Sequence, residues 1–362
     1  MPTCLHIVKS ADPASTGICR IISGLARHAQ PHEYRVSVLF LEDGILRQSM
    51  EEQGIPASVV PWSMRRDDLR GAWRFLKWLR RHPVDLAHVH HGGGGLRALC
   101  RAARAQAVVQ HIHGQFVEID LTPMRYRSFR GADAVIACSQ AIADSITEFK
   151  AEVIYAGIET APALPSPPAG TGPFRIGVLS RLVPLKRIEA VIEATARLTT
   201  MGFDIVLEIG GGGPSEAALR ELAAQLGVCD KVHFLGWQRE VGPLLASWHV
   251  LAMPSMTEGF PIAVLDAMAA GRTVVASRVG GLIEMIEDGM TGRLIPAGDT
   301  DSLTLCIAEL ARDRALAERM GVAAWKRAGS KYSAVLMTEK IVGLYDRLLE
   351  RETRLLAAKA KD

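Results

Sequence analysis

Short apolar runs of strand character alternate with helical patterns along nearly the whole chain. In the first half the runs Leu5–Val8, Arg35–Leu41, Leu86–His90, Val108–His113 and Ala134–Ala137 read as strands. Between them lie segments with apolar spacing of three and four, such as Ile18–Ala29, which read as helices. Strands that alternate with helices predict parallel sheets joined by crossover helices. A stretch from Ala161 to Pro173, Ala-Pro-Ala-Leu-Pro-Ser-Pro-Pro-Ala-Gly-Thr-Gly-Pro, interrupts the pattern. No helix interior or central strand tolerates that density of proline, so it reads as a linker. The alternation restarts with Phe174–Leu179, Ile205–Ile209, Val232–Leu235, Val250–Met253 and Thr273–Ala276, and past residue 300 the pattern is helical. The expected architecture is α/β: two Rossmann-like, doubly wound parallel-sheet domains facing a cleft. They would cover 1–160 and 173–330, with the linker at 161–172 and C-terminal helices at 331–362 that can pack back on the first domain. In open α/β sheets ligands bind beyond the carboxyl ends of the strands, so chemistry is expected just after the runs named above.

Composition narrows the function classes. The 362 residues suit two domains, and 48% apolar residues suffice for two cores. A net charge of +3 gives no global case for wrapping nucleic acid. Residues 1–160 hold 19 Lys/Arg against 16 Asp/Glu, so the excess lies in the first half, together with nine of the eleven histidines. The six cysteines, Cys4, Cys19, Cys100, Cys138, Cys229 and Cys306, form no C-x-x-C pair and have no zinc-like spacing. Scattered over apolar stretches, they suggest buried, reduced thiols in a cytoplasmic protein. The start MPTCLHIVKSADP is unlike a signal peptide, and no run approaches a membrane span.

Two strand-end motifs carry candidate chemistry. Pro254-Ser-Met-Thr-Glu258-Gly-Phe-Pro-Ile-Ala-Val-Leu-Asp266 follows the strand Val250–Met253 and leads into a helix expected to begin near Phe260. Glu258 falls in the loop and Asp266 about two turns along that helix. The amides at the helix start form an anion-binding arrangement, and a carboxylate beside it suits sugar hydroxyls. The plain alternative is a capped helix with two solvated acids. Gly177-Val-Leu-Ser-Arg181-Leu-Val-Pro-Leu-Lys186 follows the strand Phe174–Leu179. Two cations five apart could grip a diphosphate, Arg as a fork and Lys as a point charge, although any surface turn can carry two cations.

Taken together, VLSRLVPLKR, EIGGGGP, VHFLGW, PSMTEGFPIAVLDAMAAG and VGGLIEMIEDGMTG make the second half resemble the GT4-type family of retaining glycosyltransferases (glycosyl transferases group 1), which has the GT-B fold. VDLAHVH, VQHIHG, AVIACSQAIA and VIYAGIE extend the resemblance more loosely through the first half. The resemblance implies that Arg181 and Lys186 contact the donor diphosphate, that Glu258 lies by the donor sugar and that Asp266 contacts the ribose. It also implies that the loop of Gly259, Phe260, Pro261, Ile262 and Ala263 helps hold phosphate and sugar through its backbone amides. The donor would be a UDP-sugar or GDP-sugar, and no cofactor or metal is expected, since no Asp-x-Asp of the metal-using type is apparent. The chain departs from the family in having Asp266 where Glu is usual and Arg272 where proline commonly follows the glycine.

In the first half the family's strand-end histidine matches His113, which precedes Gly114 and should face the cleft. Strand alternation places His111 on the same face. A lone strand histidine is more often a satisfied core group. Gly17 stands where the family often has a double glycine close to donor phosphate and acceptor. The run His88-Val-His-His-Gly-Gly-Gly-Gly95 resembles a phosphate cradle but equally a flexible turn. Gly210–Gly213 is either a tight turn or a wall of the nucleotide site. In Leu69–His82 a wheel puts Leu69, Ala72, Trp73, Leu76 and Leu79 on one face and Arg70, Arg74, Lys77 and Arg81 on another. That suits a crossover helix, or a peripheral anchor on an anionic membrane.

The function implied is retaining transfer of a hexose-type sugar from a nucleoside diphosphate sugar to a hydroxyl of a glycan or lipid-linked acceptor. It would serve cell-surface polysaccharide or glycolipid synthesis, on the inner face of the membrane. Arg181, Lys186, Glu258 and His113 would act in catalysis. A nucleotide-sugar epimerase of the same fold would instead release a changed sugar without an acceptor. A weakly active homologue acting as a binding subunit is the third reading, motivated by Asp266.

Overall fold

The computed structural model describes residues 1–29, 34–65, 67–91, 93–114, 129, 132–146, 150–161, 163–166, 168 and 172–359, the side chains of 352–359 excepted. The chain forms two compact units, Met1–Gly157 with Ala334–Asp362, and Ile158–Ser333.

The first unit holds β1 (Thr3–Ser10), β2 (Arg35–Glu42), β3 (Ala57–Val59), β4 (Leu86–Val89), β5 (Ala107–Ile112), β6 (Ala134–Ala137) and β7 (Ala151–Val153), all parallel, in the order β3-β2-β1-β4-β5-β6-β7. The order runs outward both ways from β1, which is the doubly wound arrangement. The two faces of the sheet differ. One carries Leu5, Ile7, Leu39, Leu41, Ala87 and Val89 against Phe75 and Leu79, an ordinary apolar core. On the other, the register pairs His6 with His88 and His88 with Val109. Paired residues share a face and alternate residues return to it, so His6, His88, His90, His111 and His113 all lie on that side. The C-terminal helix Ala334–Lys359 belongs to this unit. Its Tyr345 is fully buried, and its Asp346 accepts a 2.7 Å hydrogen bond from Tyr34.

The second unit holds β8 (Phe174–Leu179), β9 (Ile205–Gly210), β10 (Val232–Gly236), β11 (Val250–Met253), β12 (Thr273–Ser277) and β13 (Gly292–Ile295), in the order β10-β9-β8-β11-β12-β13. These strands too are parallel. Its core is almost purely apolar, from Phe174 and Ile176 to Leu303 and Ile307. Trp248 is fully buried, and its indole N–H donates to Glu208 at 2.6 Å. A Cβ on Gly177 would stand 1.9 Å from the Trp248 ring, so this strand position admits only hydrogen.

Three sequence expectations need correction. The edge strands β3, β7 and β13 were absent from the pattern, β3 and β7 being three residues long and half-buried and β13 opening with Gly292-Arg293 rather than an apolar run. The helix Leu69–Arg81 buries Gly71, Phe75 and Leu79, whereas Leu69 and Trp73 are 74% and 60% exposed. The buried stripe follows i, i+4 and i+8, rotated away from the face the wheel favoured. Cys229 is exposed rather than buried. Among the described residues of the linker, Ser166 accepts a 2.5 Å hydrogen bond from Arg272, so the arginine that replaces the family's proline clips this stretch to the second unit. Residues 162, 167 and 169–171 lie outside the described residues.

Candidate active site

In the second unit β8 and β11 are neighbours, yet β8 leads on to β9 on one side and β11 to β12 on the other. The crossovers therefore diverge here, which is where an open α/β sheet leaves a crevice beyond its strand ends. Two loops meet at this point. The backbone N–H of Met256 donates to the carbonyl of Leu185 at 2.8 Å, tying the loop after β11 to the loop after β8. Beside that tie Lys186 Nζ lies 2.6 Å from Glu258 Oε1, which also accepts from Ser255 Oγ at 2.7 Å. Glu258 is 8% exposed and the Lys186 side chain 25%. A carboxylate this buried needs its countercharge, so the pair fixes both loops. One N–H of the ammonium is spent on Glu258; two remain.

Arg181 lies on the same connection, exposed, and its guanidinium makes no hydrogen bond or ion pair with the described residues. Its backbone is held from the other side: Ser180 N–H donates to Gly210 O at 3.1 Å and Leu182 N–H to Gly212 O at 3.0 Å. A Cβ on Gly211 or Gly213 would strike the carbonyl of Ser180 or Leu182, at 1.9 and 2.4 Å. The glycine run thus serves close backbone approach beside Arg181. Gly280 and Gly281 do the same for the other loop, where a Cβ would meet the carbonyls of Glu258 and Gly259 at 1.9 and 2.0 Å.

The helix after Glu258 spans Ile262–Ala269, two residues later than expected, with Pro261 at its N-cap and no side-chain cap. The N–H groups of Ile262 and Ala263 bond to none of the described residues and stand ready for an anion. Gly259 and Phe260 are buried before them, and Phe260 packs edge-on against Tyr332. Asp266 is the helix's fifth residue, one turn in rather than two, and is 7% exposed. The sequence does contain one Asp-x-Asp, Asp299-Thr-Asp301. Asp299 caps its helix through Ser302 N–H at 2.9 Å, and Asp301 pairs with Arg197, so both acids are occupied structurally.

In the first unit Gly17 is the second residue of the helix Thr16–His28, which follows β1 through a short 3-10 turn. Gly92 of the glycine run lies outside the described residues, and Gly94–Ala102 is a helix. His113, just past β5, is not a lone histidine. His90 Nδ1 lies 2.7 Å from His113 Nε2, and His6 Nδ1 lies 2.9 Å from His90 Nε2. Cys4 Sγ stands 3.5 Å from His6 Nε2. A second row runs from the Tyr345 hydroxyl to His88 Nδ1 at 2.5 Å and from His88 Nε2 to His111 Nδ1 at 3.2 Å; His111 Nε2 is buried without a partner among the described residues. Burial drives the imidazoles neutral: His6 and His111 fall to about 3, and His88, His90 and His113 well below the usual value, with neighbouring imidazoles adding to the effect for four of the five. Nitrogens of His6, His88 and His90, and of His90, His111 and His113, lie within 4.8 Å of one another, close enough to consider a metal. The His6–His90 and His90–His113 nitrogens, however, already face one another at hydrogen-bond distance.

The profile of Glycosyl transferases group 1 matches residues 164–327, and that of Glycosyltransferase Family 4 matches residues 15–162. The GDP-mannose-dependent alpha-(1-6)-phosphatidylinositol monomannoside mannosyltransferase of Mycolicibacterium smegmatis is 32% identical over 67% of this chain and 72% of that protein. The chain belongs to the GT4 group of glycosyltransferases. It also resembles the N-acetyl-alpha-D-glucosaminyl L-malate synthase of Bacillus anthracis, 34% identical over 46% of this chain but only 43% of that protein's length. The fold is GT-B: the crystal structure of Anabaena Alr3699/HepE in complex with UDP-glucose superposes with a TM-score of 0.80 over 96% of this chain and all of that one, at 21% identity.

Sequence reasoning missed Ser255, which clamps Glu258, although it stood inside the quoted motif. It gave no role to Gly280 and Gly281, whose pairing directly after a strand was the available signal. It also missed the partners of His113, since His6, His88 and His90 meet it only through the sheet register.

Proposed function

We propose that this GT4-group protein is a retaining glycosyltransferase that moves a sugar from a nucleoside diphosphate sugar to a hydroxyl of a glycan or lipid-linked acceptor. The observation that carries the reading is the juncture of Arg181, Lys186 and Glu258 at the strand-order reversal of the second unit, beside the uncapped amides of Ile262 and Ala263. Bond cleavage leaves negative charge on the diphosphate. Arg181, the free donors of Lys186 and the two amides stabilise that charge without rearranging. Glu258, oriented by Lys186 and Ser255, accepts hydroxyl hydrogens of the sugar, and Asp266 those of the ribose. From the family resemblance we assign His113 to contact with the sugar and Gly17 to contact with donor phosphate and acceptor. This chemistry asks for no metal. A UDP- or GDP-sugar donor agrees with the UDP-glucose of the HepE structure and the GDP-mannose dependence of the mannosyltransferase relative.

A membrane-borne acceptor agrees with the helix Leu69–Arg81. Exposed Leu69 and Trp73 stand among the exposed cations Arg70, Arg74, Lys77, Arg80 and Arg81, which suits anionic lipid. No described helix is long and apolar enough to cross a membrane, so the contact would be peripheral, on the cytoplasmic side.

The test is incubation with UDP- and GDP-sugars and lipid-linked or glycan acceptors, following nucleoside diphosphate release and product anomeric configuration by NMR. The reading expects acceptor-dependent release with retention, lost in Arg181→Ala. Inversion, a changed sugar without acceptor, or full activity in Arg181→Ala would overturn it.

A further inference from the structure

The histidine row of the first unit has a property that single histidines lack. His6 and His90 have ring centroids 5.2 Å apart with planes 23° apart, and His90 and His113 have 5.0 Å and 19°. Each centroid separation exceeds the corresponding nitrogen separation, 2.9 and 2.7 Å, by about the width of one imidazole. The three rings therefore meet edge to edge, nearly coplanar, rather than face to face. Their in-plane lone pairs and N–H bonds point along the row.

A neutral imidazole carries one proton on one of its two nitrogens. Each nitrogen-to-nitrogen contact of a hydrogen bond holds one proton. In a row joined Nδ1 to Nε2 twice over, these two conditions leave only two arrangements. Either all three rings are protonated at Nδ1, or all three at Nε2. A mixed row would place two protons, or none, between a pair of nitrogens. In the first arrangement the remaining nitrogen of His113, Nδ1, is a donor; in the second it is an acceptor. That nitrogen makes no hydrogen bond with the described residues.

We propose that His6, His90 and His113 form one tautomeric unit, in which the fully buried His6 and His90 are positioning residues that fix whether His113 offers substrate an N–H or a lone pair. The far end of the row lies beside the Cys4 thiol, which burial pushes up to about 12 and so keeps protonated. Passing from one arrangement to the other takes one proton in at His6 Nε2 and one out at His113 Nδ1, and a thiol held protonated does not supply the first, so the far end holds the row in one arrangement. Only the contact of His113 with substrate rests on the function proposed above; the coupling among the rings does not.

The full-length protein labelled with 15N in its histidines decides the matter through long-range proton–nitrogen spectra at neutral pH. The expected spectrum shows His6, His90 and His113 neutral and all protonated at the same ring position. In His6→Phe the remaining pair loses its fixed end, and the nitrogen shifts of His113 move although the substituted residue does not touch it. In the transfer assay kcat then falls about 10- to 100-fold with little change in donor KM, and His6→Gln restores part of it. Unlike tautomers within the wild-type row overturn the proposal, even if no variant folds. So do unchanged His113 signals in a folded His6→Phe. Absence of transferase activity with a uniform row would refute the functional reading and leave the coupling intact.

Discussion

The two sheets share one strand order around their first strands but place their polar groups differently. In the second unit the buried core of the strands is almost purely apolar, and the candidate donor-binding groups Arg181, Lys186 and Glu258 sit on loops beyond the strand ends, where backbone-to-backbone ties and glycines brace them. In the first unit His6, His88 and His111 sit on the strands and His90 and His113 just past the ends of β4 and β5, all on one face of the sheet, with His88 bonded to Tyr345 of the C-terminal helix. Loops can be rebuilt without cost to a core, whereas a buried polar face commits the whole unit to one protonation state. The second unit should therefore fail mainly by steric insult, and the first by acid.

The largest effect expected is that of pH on the first unit. An unfolded histidine titrates near 6.5, whereas folded His6 and His111 do so at about 3, and the other three well below the usual value. The unfolded chain thus binds protons that the folded unit refuses. Stability is full above the unfolded value and falls as pH drops below it, by about 1.4 kcal/mol per pH unit for each such group. Hydrogen exchange followed from pH 7.5 to 5 should show β4 and β5 losing protection before β8 and β11. Simultaneous loss would erase the contrast between the units.

Gly177→Ala should cost the second unit about 3 kcal/mol, because the new methyl must displace the Trp248 ring within a filled core. Denaturant unfolding read by exchange in β8 and β11 checks this, and an unchanged midpoint would show that the core is looser than it looks. Trp73→Ser should weaken binding to anionic vesicles roughly three- to tenfold while leaving donor binding alone. A vesicle sedimentation series answers that, and equal binding would remove the helix from any membrane role. The smallest change is expected of Asp266→Glu, within about threefold in donor affinity, since either acid can accept from two hydroxyls. A large gain in turnover would favour a weakly active homologue.

The contrast between the units also explains what the sequence made legible. Lys186, Glu258 and Asp266 stand in contiguous strand-end motifs, so residue type and spacing together with the family resemblance singled them out as candidates. The ten strands longest or deepest in the sheets were visible because buried parallel strands read as continuous apolar runs. β3 and β7 are three residues long and half-buried, and β13 opens with Gly292-Arg293 rather than an apolar run. The histidine row was not readable in the same way. His6, His90 and His113 are 84 and 23 residues apart along the chain and meet only when the register of β1, β4 and β5 is known. Trp73 misled because a wheel gives the period of a helix without the rotation that its neighbours impose.

The central claim is that the loops after β8 and β11 bind a nucleoside diphosphate sugar. Calorimetric titration of UDP- and GDP-sugars into the wild-type protein, Arg181→Ala and Lys186→Ala tests it directly. Saturable binding of one donor class to the wild type is predicted, weakened at least about tenfold in each variant. Arg181→Ala should keep the wild-type melting temperature, whereas Lys186→Ala should lower it, because Glu258 is left buried without its countercharge. Equal donor affinity in all three proteins would contradict the account.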